Sequence, residues 1–243
     1  MAEGVRIAPL GERALIVAYE GGIDPVTHRK VLELARSLEE QPFPGFQEAV
    51  PSYASVAVYY DPVAAGKADQ SEKPGRTARG VQAKVAEWLT ERVHSGAATG
   101  SGPRAGCTFE IPVCYCSECG PDLPYVAERN RLTPEEVVRI HTSRPYTVYM
   151  IGFMPGFPYL GGMSGRISAP RLPTPRPRVP AGSVGIAGTQ TGIYPFASPG
   201  GWRLIGRSTL PLFRPDQAPP SLLAAGDAVR FLPAAHPDGS EGL

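Results

Sequence analysis

No apolar run in the 243-residue chain approaches the ~20 residues of a membrane-spanning helix. The N-terminal stretch MAEGVRIAPLGERALIVAYE mixes charges into its first turns and lacks the uninterrupted apolar core of a signal peptide. Both absences predict a cytoplasmic protein with no membrane role. The formal net charge is only +1, which removes any electrostatic case for nucleic acid or anionic lipid. Cysteine is scarce, with four residues, and in the predicted compartment these are thiols rather than structural disulfides. The chain contains no Walker A loop, no G-x-G-x-x-G, no G-x-S-x-G elbow and no H-E-x-x-H pair. It therefore offers no obvious nucleophile and no nucleotide cradle of its own.

Glycine and proline are abundant, at 28 residues each, while hydrophobic residues make up 42%. That combination predicts a loop-rich, β-rich folded protein rather than a disordered one. The oddest stretch is GFMPGFPYLGGM, residues 152–163. Its Gly and Pro content argues against a helix interior or a central strand. Its large side chains, Phe153, Phe157 and Tyr159 among them, are then expected to form an exposed apolar wall.

The first part of the chain reads as α/β. Strands are expected at Val5–Ala8, 14–20, 46–50 and 55–60. Asp24-Pro25 reads as a helix cap followed by Pro at the first helical position, opening an amphipathic helix over 25–40 with Val31, Leu34, Ala35 and Leu38 on one face. A second helix is expected over 80–93, and a charged excursion at 65–77. Residues 96–106 are small and polar and read as a linker between a domain at 1–95 and another at 107–243. In the second domain, TFEIPVCY (108–115) reads as a strand and 121–130 as a short helix. Thr133-Pro134-Glu135-Glu136 opens a helix ending near His141. Short strands at 146–153, 183–188, 202–207 and 228–233 then suggest a small β-barrel or sandwich.

Several groups could carry chemistry. APRLPTPRPRVPAG (169–182) holds five prolines and three arginines and must run extended. It is a stiff surface loop, a ligand for an SH3-like domain, or a site where Arg171, Arg176 and Arg178 face a carboxylate or phosphate. His141 falls at a helix C-terminus, where the dipole favours imidazolium, and Arg144 could join it on an anion. Gln190 and Thr191 lie near Tyr194 and Trp202, a mix suited to a ligand pocket or to an ordinary wide hairpin. Cys114, Cys116 and Cys119 crowd within six residues, without the two paired knuckles of a structural zinc site. Cys114 and Cys116 would share one side of a strand, which suits core packing, and no metal is assigned.

VYMIGFMPGFPYLGGM, PRLPTPRPRVPAGSVGIAGTQTGIYPFASPGGWRLIGR and PPSLLAAGDAVRFLP, together with IAPLGERALIVAY and FEIPVCY…GPDL, closely resemble the family of 5-oxoprolinase B subunits. That family includes the kinase inhibitor KipI and was long labelled allophanate hydrolase subunit 1. Related sequence forms part of the carboxyltransferase region of urea carboxylase. The resemblance implies an α+β ferredoxin-like N-terminal domain followed by a cyclophilin-like β-barrel. It implies two partners, a KipA-like C subunit together with an A subunit, in ATP-dependent opening of 5-oxoproline to glutamate. ATP would be bound in the complex rather than by this chain alone. The alternatives are a KipI-like histidine-kinase inhibitor and a carboxyltransferase-type subunit for urea-like or allophanate-like amides. The sequence departs from the family at Cys116, Ser117 and Cys119, where small residues and an aromatic are usual. From residue chemistry, His141 or Gln190 would orient the amide as catalytic groups, and Arg144, Arg171 and Arg178 would bind a carboxylate or a developing phosphate. Phe153, Phe157 and Tyr159 would form one wall of the groove, closed opposite by Gln190, Thr191, Tyr194 and Trp202.

Overall fold

The computed structural model describes residues 4–67, 78–95 and 106–236. The chain divides into two compact units, Met1–Arg104 and Ala105–Leu243. The expected linker falls on residues outside the described set, apart from Gly106. So does most of the charged excursion, although its first residues end a short helix.

In the first unit the elements run β1 (Val5–Pro9), β2 (Ala14–Tyr19), α1 (Pro25–Glu40), β3 (Phe46–Pro51), β4 (Ser55–Tyr60), α2 (Pro62–Lys67) and α3 (Ala78–His94). The four strands form one antiparallel sheet in the order β1-β2-β4-β3. Asp24 starts α1 because its Oδ1 accepts the backbone N–H groups of Val26 at 2.9 Å and Thr27 at 3.1 Å. Val31, Leu34, Ala35 and Leu38 then share one face, which packs with Val17, Val56 and Val58 of the sheet in a single core. A ferredoxin-like unit runs β-α-β-β-α-β. From β2 to α3 this chain follows the first five elements. The strand that borders β2, however, is β1 from the N-terminal side, and among the described residues none follows α3 in this unit.

The second unit contains β5 (Thr108–Val113), α4 (Leu123–Arg129), α5 (Pro134–Thr142), β6 (Tyr146–Ile151), β7 (Pro158–Gly161), β8 (Arg176–Val179), β9 (Ser183–Ala187), β10 (Gln190–Ile193), β11 (Ser198–Gly200), β12 (Arg203–Arg207) and β13 (Ala228–Pro233). Seven strands pair in the order β12-β9-β10-β7-β6-β13-β5, with β13 and β5 parallel, while β8 and β11 form a separate ribbon. The two ends of the large sheet meet. Just past β5, Cys114 exchanges both backbone hydrogen bonds with Arg207 of β12, each 2.9 Å. The sheet is thus nearly closed into a barrel around Ile111, Val148, Leu160, Ile186, Ile193, Val229 and Phe231.

Residues 152–163 contain a strand after all. Pro158–Gly161 lies inside the barrel sheet between β10 and β6. Proline is tolerated there because Pro158 is the first residue of the strand. β5 also ends earlier than expected, at Val113, so Cys116 sits in a turn rather than on the strand with Cys114.

The closure requires close approach of two backbones. A Cβ on Gly206 would come within 2.6 Å of Val113 Cγ1 and 2.8 Å of the Cys114 carbonyl oxygen. Gly206→Ala is expected to lower stability by about 1–3 kcal/mol through overpacking at this seam. Gly165→Ala, whose Cβ would meet nothing, should change it by less than about 0.5 kcal/mol. Denaturant midpoints of the two variants check the contrast.

Candidate functional site

Side chains on β10 alternate across the barrel wall. Ile193 points into the core, and Thr191, two residues earlier, points the same way. Gly192 faces outward, where a Cβ would lie 3.0 Å from Phe157 Cζ and 3.1 Å from Trp202 Cζ3. Half-buried Gln190 takes the outward side by the same alternation. The predicted site residues are therefore split between two places.

Inside, His141 is fully buried at the end of α5. Its Nδ1 lies 2.8 Å from Tyr115 Oη and its Nε2 3.1 Å from Thr191 Oγ1. Thr191 donates its own hydroxyl proton to the Gly185 carbonyl at 3.0 Å. The Thr191 oxygen must then accept from Nε2–H, and Nδ1 accepts from Tyr115. The ring stacks on Phe231 with centroids 4.5 Å apart. Burial lowers its pKa from 6.5 to about 3. The expectation of an imidazolium at the helix terminus is thus corrected. Desolvation outweighs the helix dipole, and the ring is a neutral core histidine with both nitrogens engaged.

Outside, Phe157 is the hub of an aromatic cluster. Its centroid lies 5.5 Å from Phe153, 5.0 Å from Tyr159, 5.2 Å from Tyr194 and 5.5 Å from Trp202, all edge-to-face. The expected exposed wall is corrected here as well. Phe157 is 1% exposed, and Tyr194 and Trp202 are also buried. Phe157 just before β7, Tyr159 on it, Tyr194 just past β10 and Trp202 just before β12 meet in one apolar layer, where they cover each other. Phe153 alone stands out, 63% exposed and in the left-handed region at φ 69. An aromatic side chain there is strained, a condition that concentrates at functional positions. Exposed Arg171 sets its guanidinium carbon 6.0 Å from the Trp202 ring centroid. Burial raises the pKa of Tyr194, against a backbone hydrogen bond from Trp202 and the charges of Arg171 and Arg176.

The remaining predicted arginines lie elsewhere. Arg144 is exposed near Tyr146, whose phenol pKa its charge lowers against the larger effect of burial. Arg178 is exposed on β8. Arg176 carries structure instead: its Nη2 lies 2.9 Å from Asp122 Oδ1, and Asp122 Oδ2 accepts the Leu204 N–H at 2.7 Å. Arg203 completes this clamp, 3.8 Å from Asp122 and stacked 3.7 Å over Tyr125, with its Nε donating to the Pro170 carbonyl at 3.3 Å. Asp122, Tyr125 and Arg203 carried no sequence-based assignment. The signals were the GPDL stretch, which holds Asp122, and the WRLIGR stretch, which holds Arg203. The clamp anchors the proline-rich segment against β12, and that segment presents Arg171.

The three crowded cysteines also meet. The Sγ atoms of Cys114, Cys116 and Cys119 all lie within 4.8 Å of one another, with Cys114 and Cys119 buried and Cys116 half-buried. Burial opposes ionisation of Cys116, but hydrogen bonds from the Cys119 backbone and the neighbouring thiols outweigh it and lower its pKa. Burial and hydrogen bonds with the same thiols push Cys119 up to about 12. No helix among the described residues is long and apolar enough to cross a membrane.

The family described as carboxyltransferase domain, subdomain C and D, matches residues 5–223, across both units, and gives the class of this protein. The 5-oxoprolinase B subunit of Bacillus subtilis (strain 168) is 46% identical over 235 residues, covering 93% of this chain and 92% of that protein. The solved structure of TTHA0988 is similar with a TM-score of 0.75 at 37% identity, over 93% of this chain and 40% of that one. The Kluyveromyces lactis urea carboxylase shares the fold, with a TM-score of 0.73 at 19% identity over 95% of this chain and 22% of that one. The chain belongs to the family of 5-oxoprolinase B subunits, the allophanate hydrolase subunit 1 group within the carboxyltransferase C/D domains.

Two expectations follow from this geometry. Phe157→Ala should cost about 3–5 kcal/mol of stability as a buried truncation, whereas Phe153→Ala should leave the denaturant midpoint nearly unchanged. The second concerns pH. The unfolded chain protonates His141 near its ordinary 6.5 while the folded protein resists until about 3. Between those values the unfolded state binds more protons. Stability is complete above about 6.5 and falls as the pH drops towards 3, by up to about 1.4 kcal/mol per pH unit. In His141→Gln this component of the slope should disappear, read as the difference from the unsubstituted protein in melts between pH 6.5 and about 5.

Proposed function

We propose that this chain is the B subunit of a multi-subunit, ATP-dependent 5-oxoprolinase that opens 5-oxoproline to glutamate. The observation that carries the reading is the end-to-end match to a 5-oxoprolinase B subunit, 46% identical across 93% of this chain and 92% of that protein. Its partners are the A subunit of the complex together with a KipA-like C subunit. In the 37%-identical TTHA0988 structure the matching region makes up 40% of a longer chain, which supports a barrel that works beside another module.

The substrate chemistry suits the outer face. 5-Oxoproline carries a carboxylate on a compact lactam ring. Arg171, exposed beside Trp202, binds the carboxylate, and Phe153 packs on the ring and excludes water. Gln190 donates an amide N–H to the lactam oxygen as charge builds there. His141, sealed in the core, positions β10 through Thr191 and does not meet substrate. ATP, bound in the complex and not by this chain alone, supplies the activation of the lactam oxygen. Water then adds to the carbonyl carbon, the C–N bond breaks to leave the amine and carboxylate of glutamate, and the ATP consumed leaves as ADP and phosphate.

The test is reconstitution of the three subunits with 5-oxoproline and ATP, following glutamate. Activity should require this chain. Arg171→Ala should raise KM for 5-oxoproline more than it lowers kcat, and Phe153→Ala should reduce turnover without loss of stability. Full activity in the absence of this chain would overturn the reading. So would inhibition of histidine-kinase autophosphorylation by a chain that is dispensable for turnover.

A further inference from the structure

Along the chain, three cysteines within six residues look one ligand short of a zinc site. Folding leaves the count at three, but it brings the sulfurs to one point from two directions. Cys116 and Cys119 form a C-x-x-C turn closed by the Gly120 N–H donating to the Cys116 carbonyl at 2.8 Å. Cys114 comes from the strand end, held by its paired backbone bonds to Arg207 at the barrel seam. Gly120, next to Cys119, is packed so closely that a Cβ would lie 2.3 Å from the Ile205 carbonyl oxygen. Both sulfur-bearing segments are therefore pinned to β12.

The geometry points to a thiolate site for a soft divalent cation of the zinc class, held by Cys114, Cys116 and Cys119. The three Sγ atoms already lie within 4.8 Å of one another. Sulfurs bound to one zinc at ~2.3 Å are about 3.8–4.0 Å apart, so a shift of roughly 1 Å or less completes the set. A C-x-x-C turn is the ligand spacing such cations use, and sulfur ligands select them over magnesium or calcium. Cys114 and Cys119 are buried, while half-buried Cys116 leaves a side through which a cation enters. Binding replaces three S–H protons, which pass to solvent, and leaves a complex of one net negative charge with its fourth position open to water. The site lies at the barrel seam and does not depend on the oxoprolinase reading.

Cadmium is the probe, because its thiolate complexes absorb in the ultraviolet. Reduced full-length protein, stripped with chelator, is titrated with cadmium and then challenged with zinc. One equivalent should bind with thiolate-to-metal absorption, and zinc should displace it. Bound metal should protect three thiols from iodoacetamide, leaving exposed Cys107 as the one alkylated. Cys116→Ser and Cys119→Ser should each weaken binding by more than the roughly 10–100-fold that loss of an outer-shell partner costs. Cys107→Ser should not change it, and thermal melts without metal confirm that each variant is folded. Absence of saturable binding to the reduced protein overturns the site. So does affinity that survives in folded Cys116→Ser and Cys119→Ser, or a Cys116–Cys119 disulfide as the only chemistry the cluster shows.

Discussion

The second domain depends on one strip of chain, Cys114 to Asp122, lying along β12. Cys114 trades backbone hydrogen bonds with Arg207, Gly120 passes against the Ile205 carbonyl, and Asp122 takes the Leu204 N–H on its carboxylate. Without those contacts β5 and β12 would be two open edges of a seven-stranded sheet, each with unpaired donors and acceptors. With them the sheet meets itself around one apolar core. Glycine at 120 and 206 is what lets the two backbones come close enough.

The same strip organises the outer face. Asp122 is buried, and a buried carboxylate needs partners. Arg176 and Arg203 supply the charge, and the Leu204 N–H supplies a further hydrogen bond. Because Arg203 also donates to Pro170, the proline-rich segment is drawn towards β12, and Arg171 is set over Trp202. Arg176, which looks like a ligand group in the sequence, is thus spent on scaffolding. Arg171 stays in solvent beside the aromatic layer.

The barrel wall separates two kinds of chemistry. On the inner side of β10 a neutral histidine and two hydroxyls satisfy one another in the core. On the outer side one phenylalanine remains exposed over a layer of mutually buried rings, held in a backbone conformation that costs free energy. The buried polar network and the aromatic layer lie on opposite sides of the same four-residue strand.

Local patterns were legible because their causes are local. The Asp24 and Thr133 caps, the apolar face of α1 and most barrel strands could be read from residues a few positions apart. The family was legible too, from long stretches of unusual Gly-Pro-aromatic sequence. What required the tertiary structure was every assignment that depends on which side of a strand meets what. Phe157 and Phe153 sit four residues apart in the same motif, yet one is the buried hub of a ring cluster and the other projects into solvent. His141 reads as a helix-end cation until burial removes the water its charge would need. Cys114, Cys116 and Cys119 read as a crowded run, and only the folded turn shows that their sulfurs converge. Sequence determined the elements and the kinship of this protein, because caps, periodicity and turn residues act over a few ångströms of chain. Burial, charge state and the convergence of side chains were decided only by the fold, because each depends on atoms that chain closure brings from far along the sequence.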